Sequence, residues 1–441
     1  MSAVLPLPVT RRPPLLWDVL TEHLEEASFL WVQRERAMSA SDYTLPEVEA
    51  GDEARLRAHL DGLLVGGAPV ARRLLQPALE DDAPGGVASA ASVLLASGAQ
   101  ALVLERWVED AERRPWLGHA LALCERPDLD AALLELLPRL APALQAELLD
   151  VLAFRQVDAG PLLERLAFPD MAPALRVAAL RAARATAPPT LAAWLREGMD
   201  DSEPLVRDAA IEAGLLRGMR AAWRACQALV AEGAVSRVAM LAVAMGGAPA
   251  DVEALVRALD RPELRAEALW ALGFSGRRAG ADAALAVLRE QAPETAWLAL
   301  WAFSVITGLS PEGVFLRDED EDAVAPPAAA GPVSLPPPEH RSGRVHVAEV
   351  EQWWARARER FEPEGRYRDG LPWTSGAQLQ ALHLAPMRHR PALAFELAVR
   401  SRGACQVETR GWCGHQRARL RAAATLSLGS LTRGFDGWMN A

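Results

Sequence analysis

From residue 84 to about residue 312, apolar positions recur every three or four places, in runs that each open at a proline. Aligned on that proline, the runs read PGGVASAA from Pro84, PWLGHALA from Pro115, PALQAELL from Pro142, PALRVAAL from Pro173 and PLVRDAAI from Pro204. PELRAEAL from Pro262 and PETAWLAL from Pro293 continue the series, and Ala234 takes the place of the proline in AVSRVAML. Successive starts lie 31, 27, 31, 31, 30, 28 and 31 residues apart, which marks an internal repeat. Proline fits the first turn of a helix because no N–H is needed there, and acids ahead of it, as in DDSEP, suit the positive end of the helix dipole.

After each run comes a Gly, Asp or Arg-Pro break, as in LLRGM, ERPDLD and FSGRRAG, and then a second apolar stretch such as TLAAWLREG or ADAALAVLRE. Two helices per period cannot bury their apolar faces alone, so neighbouring units must stack. The expectation is an all-α chain, an α-solenoid of about eight helical pairs over residues 81–312. Residues 1–80 read as a helical N-terminal cap. Its first helix, in LLWDVLTEHLEEASFLWVQRERAM, has Leu16, Leu20, Leu24, Phe29, Leu30 and Trp31 on the buried side, and a second, in DEARLRAHLDGLLVGGAP, ends at Gly66 and Gly67. Residues 313–344, with RDEDED followed by a Pro/Ala tract, read as a linker, and 345–441 as a mostly helical, basic C-terminal segment.

Charge sharpens this division. The net −11 of the 441 residues splits into −4 over 1–80, −13 over 81–342 and +6 over 343–441. Every basic residue is arginine, which excludes a Schiff-base lysine, a P-loop lysine and a lysine general base. No apolar run reaches the length of a membrane span, the N-terminus lacks the pattern of a secretory signal, and four cysteines are too few for a disulfide framework; a cytoplasmic protein is expected.

Candidate chemistry is sparse. His59 and Asp61 fall on different faces of a helix. Cys405, Cys413 and His415, with His383 or His389 as a fourth group, lack the close cysteine pair of a zinc site. GFSG, from Gly273 to Gly276, is followed by Arg277 where a nucleophile elbow needs glycine. No catalytic residue, metal, cofactor or small-molecule substrate is therefore expected. The 14 tryptophans against 2 tyrosines are the unusual feature. Trp270, Trp297 and Trp301 suit stacking between units, whereas Trp107, Trp194 and Trp223, with Arg220 and Arg224 beside the last, combine the residue types of protein–protein hot spots. Arg400, Arg402, Arg410, Arg417, Arg419 and Arg421 form a candidate basic patch.

The Asp, Pro, Val-Arg, Ala-Ala order of DDSEPLVRDAA resembles a HEAT repeat, with weaker echoes in DMAPALRVAA and DRPELRAEA. The resemblance implies a HEAT-like solenoid in which a turn Asp and a helix Arg tie units together: Asp201 with Arg207, Asp170 with Arg176, and Asp260 with Arg265. The flanks FLWVQR, DEARLRAHLDGLLVGG, QWWARARERFEPEGRYRDG and ELAVRSRGACQVETRGWCGHQRARL resemble an uncharacterised proteobacterial family, rich in myxobacterial members, often encoded near type VI secretion genes. The extended surface of a solenoid and the lack of a catalytic constellation point to a non-enzymatic interaction scaffold or adaptor, and the likeness implies that its protein partner is a type VI secretion component or effector. The alternative is a nucleic-acid-binding HEAT-like protein acting through the Arg-rich C-terminus, which the acidic repeat region opposes.

Overall fold

A computed structural model describes residues 15–185, 191–310, 316–317, 344–426 and 433–439. The described chain is mostly helical and all-α in class, with two-residue strand pairings at Leu316–Arg317 with Arg344–Val345 and at Tyr367–Arg368 with Leu371–Pro372. Most of the linker at 313–344, its acidic run included, lies outside the described residues. Two compact units form, one from Met1–Arg36 with Glu49–Ala131 and the other from Ala37–Val48 with Ala132–Ala441.

The prolines found in the sequence open helices. Pro84–Ala96, Pro142–Phe154, Pro173–Ala182, Pro204–Leu216, Pro262–Ser275 and Pro293–Thr307 all begin at them. The unit that lacks proline solves its start differently: its helix, Arg237–Gly246, begins three residues after Ala234, and the Ser236 hydroxyl accepts the Ala239 N–H at 3.1 Å as an N-cap.

In the first unit, the helix Trp17–Ala37 buries Leu20, Leu30 and Trp31, and an ion pair of Arg34 with Glu53 (2.9 Å) is buried beside them. Leu16 and Phe29, assigned above to the buried side, are exposed, so the apolar stripe is narrower than the sequence suggested. His59 pairs with His23, Nδ1 to Nδ1 at 2.9 Å, and not with Asp61.

The second unit has two layers. In one, Pro142–Phe154, Pro173–Ala182, Pro204–Leu216, Arg237–Gly246, Pro262–Ser275 and Pro293–Thr307 each pack on the next. In the other, Leu191–Met199, Arg220–Glu232, Pro249–Ala258 and Arg278–Arg289 do the same. Between residues 84 and 310 this gives seven helical pairs, one with the short second helix Gly160–Leu163, and Pro293–Thr307 standing as an eighth first helix; the eight complete pairs expected are one too many among the described residues.

Arginines join neighbouring helices at roughly one repeat's distance along the chain. Arg181 meets Asp150 at 3.2 Å, Arg184 meets Glu212 at 2.5 Å, Arg237 meets Glu267 at 3.2 Å and Arg265 meets Glu290 at 2.7 Å. The Asp–Arg ties run forward rather than within a unit. Asp201 takes its ion pair from Arg176 of the preceding unit, while Arg207 reaches only the Asp201 carbonyl, at 3.1 Å. Arg176 thus pairs with Asp201 instead of Asp170, and Arg265 donates to the Leu259 carbonyl and to Glu290 instead of Asp260.

Residues 345–426 and 433–439 pack against the helix ends within this same unit. Their donors meet carbonyls that no helical N–H satisfies, where cations also complement the helix dipole. Asp369 N–H donates to the Val305 carbonyl at 2.7 Å, Tyr367 N–H to Gly276 at 2.7 Å, Arg366 Nε to Ser275 at 3.0 Å and Arg400 Nη2 to Met245 at 3.2 Å. Further along, Gln406 Nε2 donates to the Arg184 carbonyl at 3.1 Å. The segment therefore runs back along the ends of the first-layer helices, last to first.

Candidate functional site

The tryptophans expected to face a partner do not. Trp107, Trp194 and Trp223 are all buried, on the apolar faces of the helices Gln100–Glu109, Leu191–Met199 and Arg220–Glu232. Trp194 stacks on Phe168 with centroids 5.2 Å apart, and Trp223 meets the edge of Phe435 at 5.5 Å. Arg224 is exposed and Arg220 half-buried beside this core tryptophan. The basic patch also divides. Arg402, Arg410, Arg417, Arg419 and Arg421 are exposed, but Arg400 is a core residue. It donates to Glu396 at 3.0 Å, and Arg366 donates to the same carboxylate at 2.5 Å, all three side chains being at most 2% exposed. Trp373 Nε1 adds a further donor to Glu396 at 3.3 Å. Burial pushes the Glu396 carboxyl up, yet Arg366 and Arg400 outweigh it and hold the group ionised below its ordinary range. This cluster is closed: its carboxylate is surrounded by donors and its arginines reach helix-end carbonyls.

Among the described residues no three His, Cys, Asp or Glu side chains converge as metal ligands. Cys405 Sγ lies against the Arg419 carbonyl at 3.8 Å, and Cys413 is buried.

A different site appears beside Trp373, where a cavity of about 490 Å³ opens between the last first-layer helix and the C-terminal segment. Three elements build it. Pro293–Thr307 contributes Trp297, Trp301, Ser304 and Val305, which helical spacing puts on one face. Ser375–Leu384, capped by the Thr374 hydroxyl accepting Ala377 N–H at 3.2 Å, contributes Ala377, Gln380, Ala381 and Leu384 at the same spacing. The hairpin Tyr367–Pro372 contributes Arg368 and Leu371, its turn being Asp369-Gly370 with φ of 51° and 76°, the positive values a two-residue hairpin loop requires.

The floor is aromatic and cationic. Trp301 stacks on Trp270 with centroids 4.5 Å apart, and Gly273 makes room for it, since a Cβ there would sit 2.5 Å from the indole. GFSG thus serves packing. Arg388 lies over the Trp270 ring at 5.3 Å and Arg368 over Trp373 at 5.6 Å. A pair of backbone bonds, Arg388 N–H to the Ala40 carbonyl at 3.1 Å and Met387 N–H to Tyr43 at 2.8 Å, fixes the turn that presents Arg388 and His389.

His389 is buried against Trp301, centroids 5.0 Å apart, and neither ring nitrogen has a hydrogen-bond partner. Burial, with Arg368 and Arg388 nearby, holds its pKa well below the ordinary value, so the imidazole is neutral. Trp301 Nε1 and Ser304 Oγ are likewise buried atoms without partners. Asp369 pairs with Arg368 at 3.6 Å and is two-thirds exposed at the rim. At the mouth Leu371 and Leu384 are exposed, at 68% and 53%. A mostly apolar wall with a few convergent polar groups is the composition of a ligand site.

Trp297 and Trp301 stood out in the sequence, but nothing there marked the cleft, whose walls come from segments about 60 to 90 residues apart. No protein-family model matches the chain, and no curated protein matches it.

Proposed function

We propose that the chain is a non-enzymatic interaction scaffold: a HEAT-like helical-repeat array that holds a protein partner at the Trp301–Arg388 cleft. The observation that carries this reading is the cleft itself, an apolar-mouthed, cation-floored cavity with buried donors and acceptors still open. The two layers of stacked helices, tied by arginines one period apart, support the repeat array as its rigid frame. Among the described residues no single helix is long and apolar enough to cross a membrane, and four cysteines in 441 residues are too few for a disulfide framework, which suits a cytoplasmic setting.

The likeness of the flanks to a family encoded near type VI secretion genes makes a secretion component or effector the first partner to test. Nucleic-acid binding is the lesser reading, because Arg400 is engaged inside the fold. Affinity capture from the native cell, with wild-type protein and with Ala377→Trp to fill the cleft, tests the reading. Proteins held by the wild type and lost from the variant are the expected result; identical captured sets, or none above background, contradict it.

A further inference from the structure

The geometry points to a tyrosine side chain of the partner as the occupant of the cleft, its ring against Trp301 and its hydroxyl at His389. This inference rests on the cleft being the partner site and names the chemistry it selects. Size sets the first bound: about 490 Å³ falls within the roughly 300–1,000 Å³ of ligand cavities, enough for one large side chain. Shape sets the second. Trp297, Trp301 and Trp373 line the same cavity, and indoles favour a planar ring, stacked or edge-on.

Hydrogen bonding selects among rings. His389 is 3% exposed and both its ring nitrogens lack a partner within the protein, as do Trp301 Nε1 and Ser304 Oγ on the helix Pro293–Thr307. All three residues line the cleft. Held neutral by burial, the imidazole presents one N–H and one bare nitrogen, the indole presents an N–H, and the serine hydroxyl does either. The cleft thus asks for an atom that donates and accepts at once. A phenol hydroxyl does both. An indole only donates, a carboxylate only accepts, and a phenylalanine ring leaves all four atoms unmet. An amide or an aliphatic hydroxyl does both but brings no ring to the indole walls. An ammonium group would be buried beside Arg368 and Arg388, already engaged with Asp369 and the Trp270 ring, and like charge disfavours it. The source is a polypeptide and not a small phenol because the apolar surface continues outward: Leu371 and Leu384 flank the mouth, where the residues next to the tyrosine would lie.

Fluorescence anisotropy with full-length protein and a labelled, end-capped Gly-Ser-Leu-Tyr-Leu-Ser-Gly peptide tests this, with the phenylalanine counterpart and p-cresol as competitors. The tyrosine peptide should bind saturably. Its phenylalanine counterpart should bind about tenfold or more weakly, the loss expected when buried polar atoms are left unmet. His389→Phe keeps the aromatic packing and should bring the two peptides together, and Ser304→Ala, a milder change, should narrow the gap. Ala377→Trp, which fills the cleft from a half-buried wall position, should abolish binding of the tyrosine peptide. Equal binding of the two peptides by the wild type, no binding of either, or a gap undiminished in both polar variants overturns the inference. p-Cresol competing as strongly as the peptide also overturns it, in favour of a free small phenol. If the peptides fail while protein capture still depends on Ala377, the scaffold reading survives and only the tyrosine assignment falls.

Discussion

Two arginine-bearing sites flank Trp373, and they are built in opposite ways. On one side Glu396 is enclosed by Arg366, Arg400 and the Trp373 indole N–H, and the arginines go on to helix-end carbonyls. On the other, Arg368 and Arg388 lie against indole rings around a cavity, with the nearby carboxylate turned to solvent and His389 left without partners. The first has no capacity left for a ligand. The second keeps the His389 ring nitrogens, Trp301 Nε1 and Ser304 Oγ unbonded beside a cavity. Buried charge alone therefore does not mark a functional site; the closure of its hydrogen bonds decides.

Removing the central carboxylate breaks the closed site most severely. Glu396→Gln leaves two buried guanidiniums without an anion and is expected to cost about 3–5 kcal/mol, read as a lowered urea midpoint. A loss under about 1 kcal/mol would mean that the cluster is hydrated and the contrast false.

The forward tie between repeats comes next. Arg176→Ala removes an ion pair in which the Asp201 side chain is 4% exposed, and about 1.5–3 kcal/mol should be lost. Arg207→Ala removes only a bond to a neutral carbonyl and should cost about 1 kcal/mol. Equal effects would restore the within-unit pairing.

The open site has its signature in pH. His389 is neutral in the fold, its pKa depressed well below 6.5, so below that value the unfolded chain binds a proton that the folded chain does not. The associated stability is complete above the unfolded imidazole pKa and falls as pH drops from about 7 toward 5, by at most about 1.4 kcal/mol per unit. His389→Phe should flatten that part of the curve, as read from denaturation midpoints across the range. An unchanged slope would place its origin elsewhere, His59, whose pKa is lowered by burial, being the next candidate.

The smallest effect is expected from Arg368→Met. With its carboxylate neighbour exposed, exchanging this buried cation for an apolar chain of similar length should change stability by less than about 1 kcal/mol. A loss as large as that of Glu396→Gln would make the two sites equivalent and the comparison empty.

The helices were legible because proline punctuates them, and the Trp270–Trp301 stack because one period separates the residues. The buried second-layer tryptophans were misread: arginine and glutamate neighbours in sequence fall on the far face of the same helix, so adjacency says nothing about the indole. Arg400 was misread for a related reason. Its acceptors are main-chain carbonyls at helix ends and Glu396 one turn away, and carbonyls leave no mark in a sequence. The cleft was invisible because it exists only once the hairpin at Asp369 meets the end of the Pro293–Thr307 helix.

A structure of the protein with a captured partner bound tests the central claim most directly. The account expects the partner seated in the cleft against Trp301, between Pro293–Thr307 and Ser375–Leu384, with the Glu396 cluster unaltered. A partner seated elsewhere, or one that enters by displacing Arg366 or Arg400 from Glu396, would contradict it.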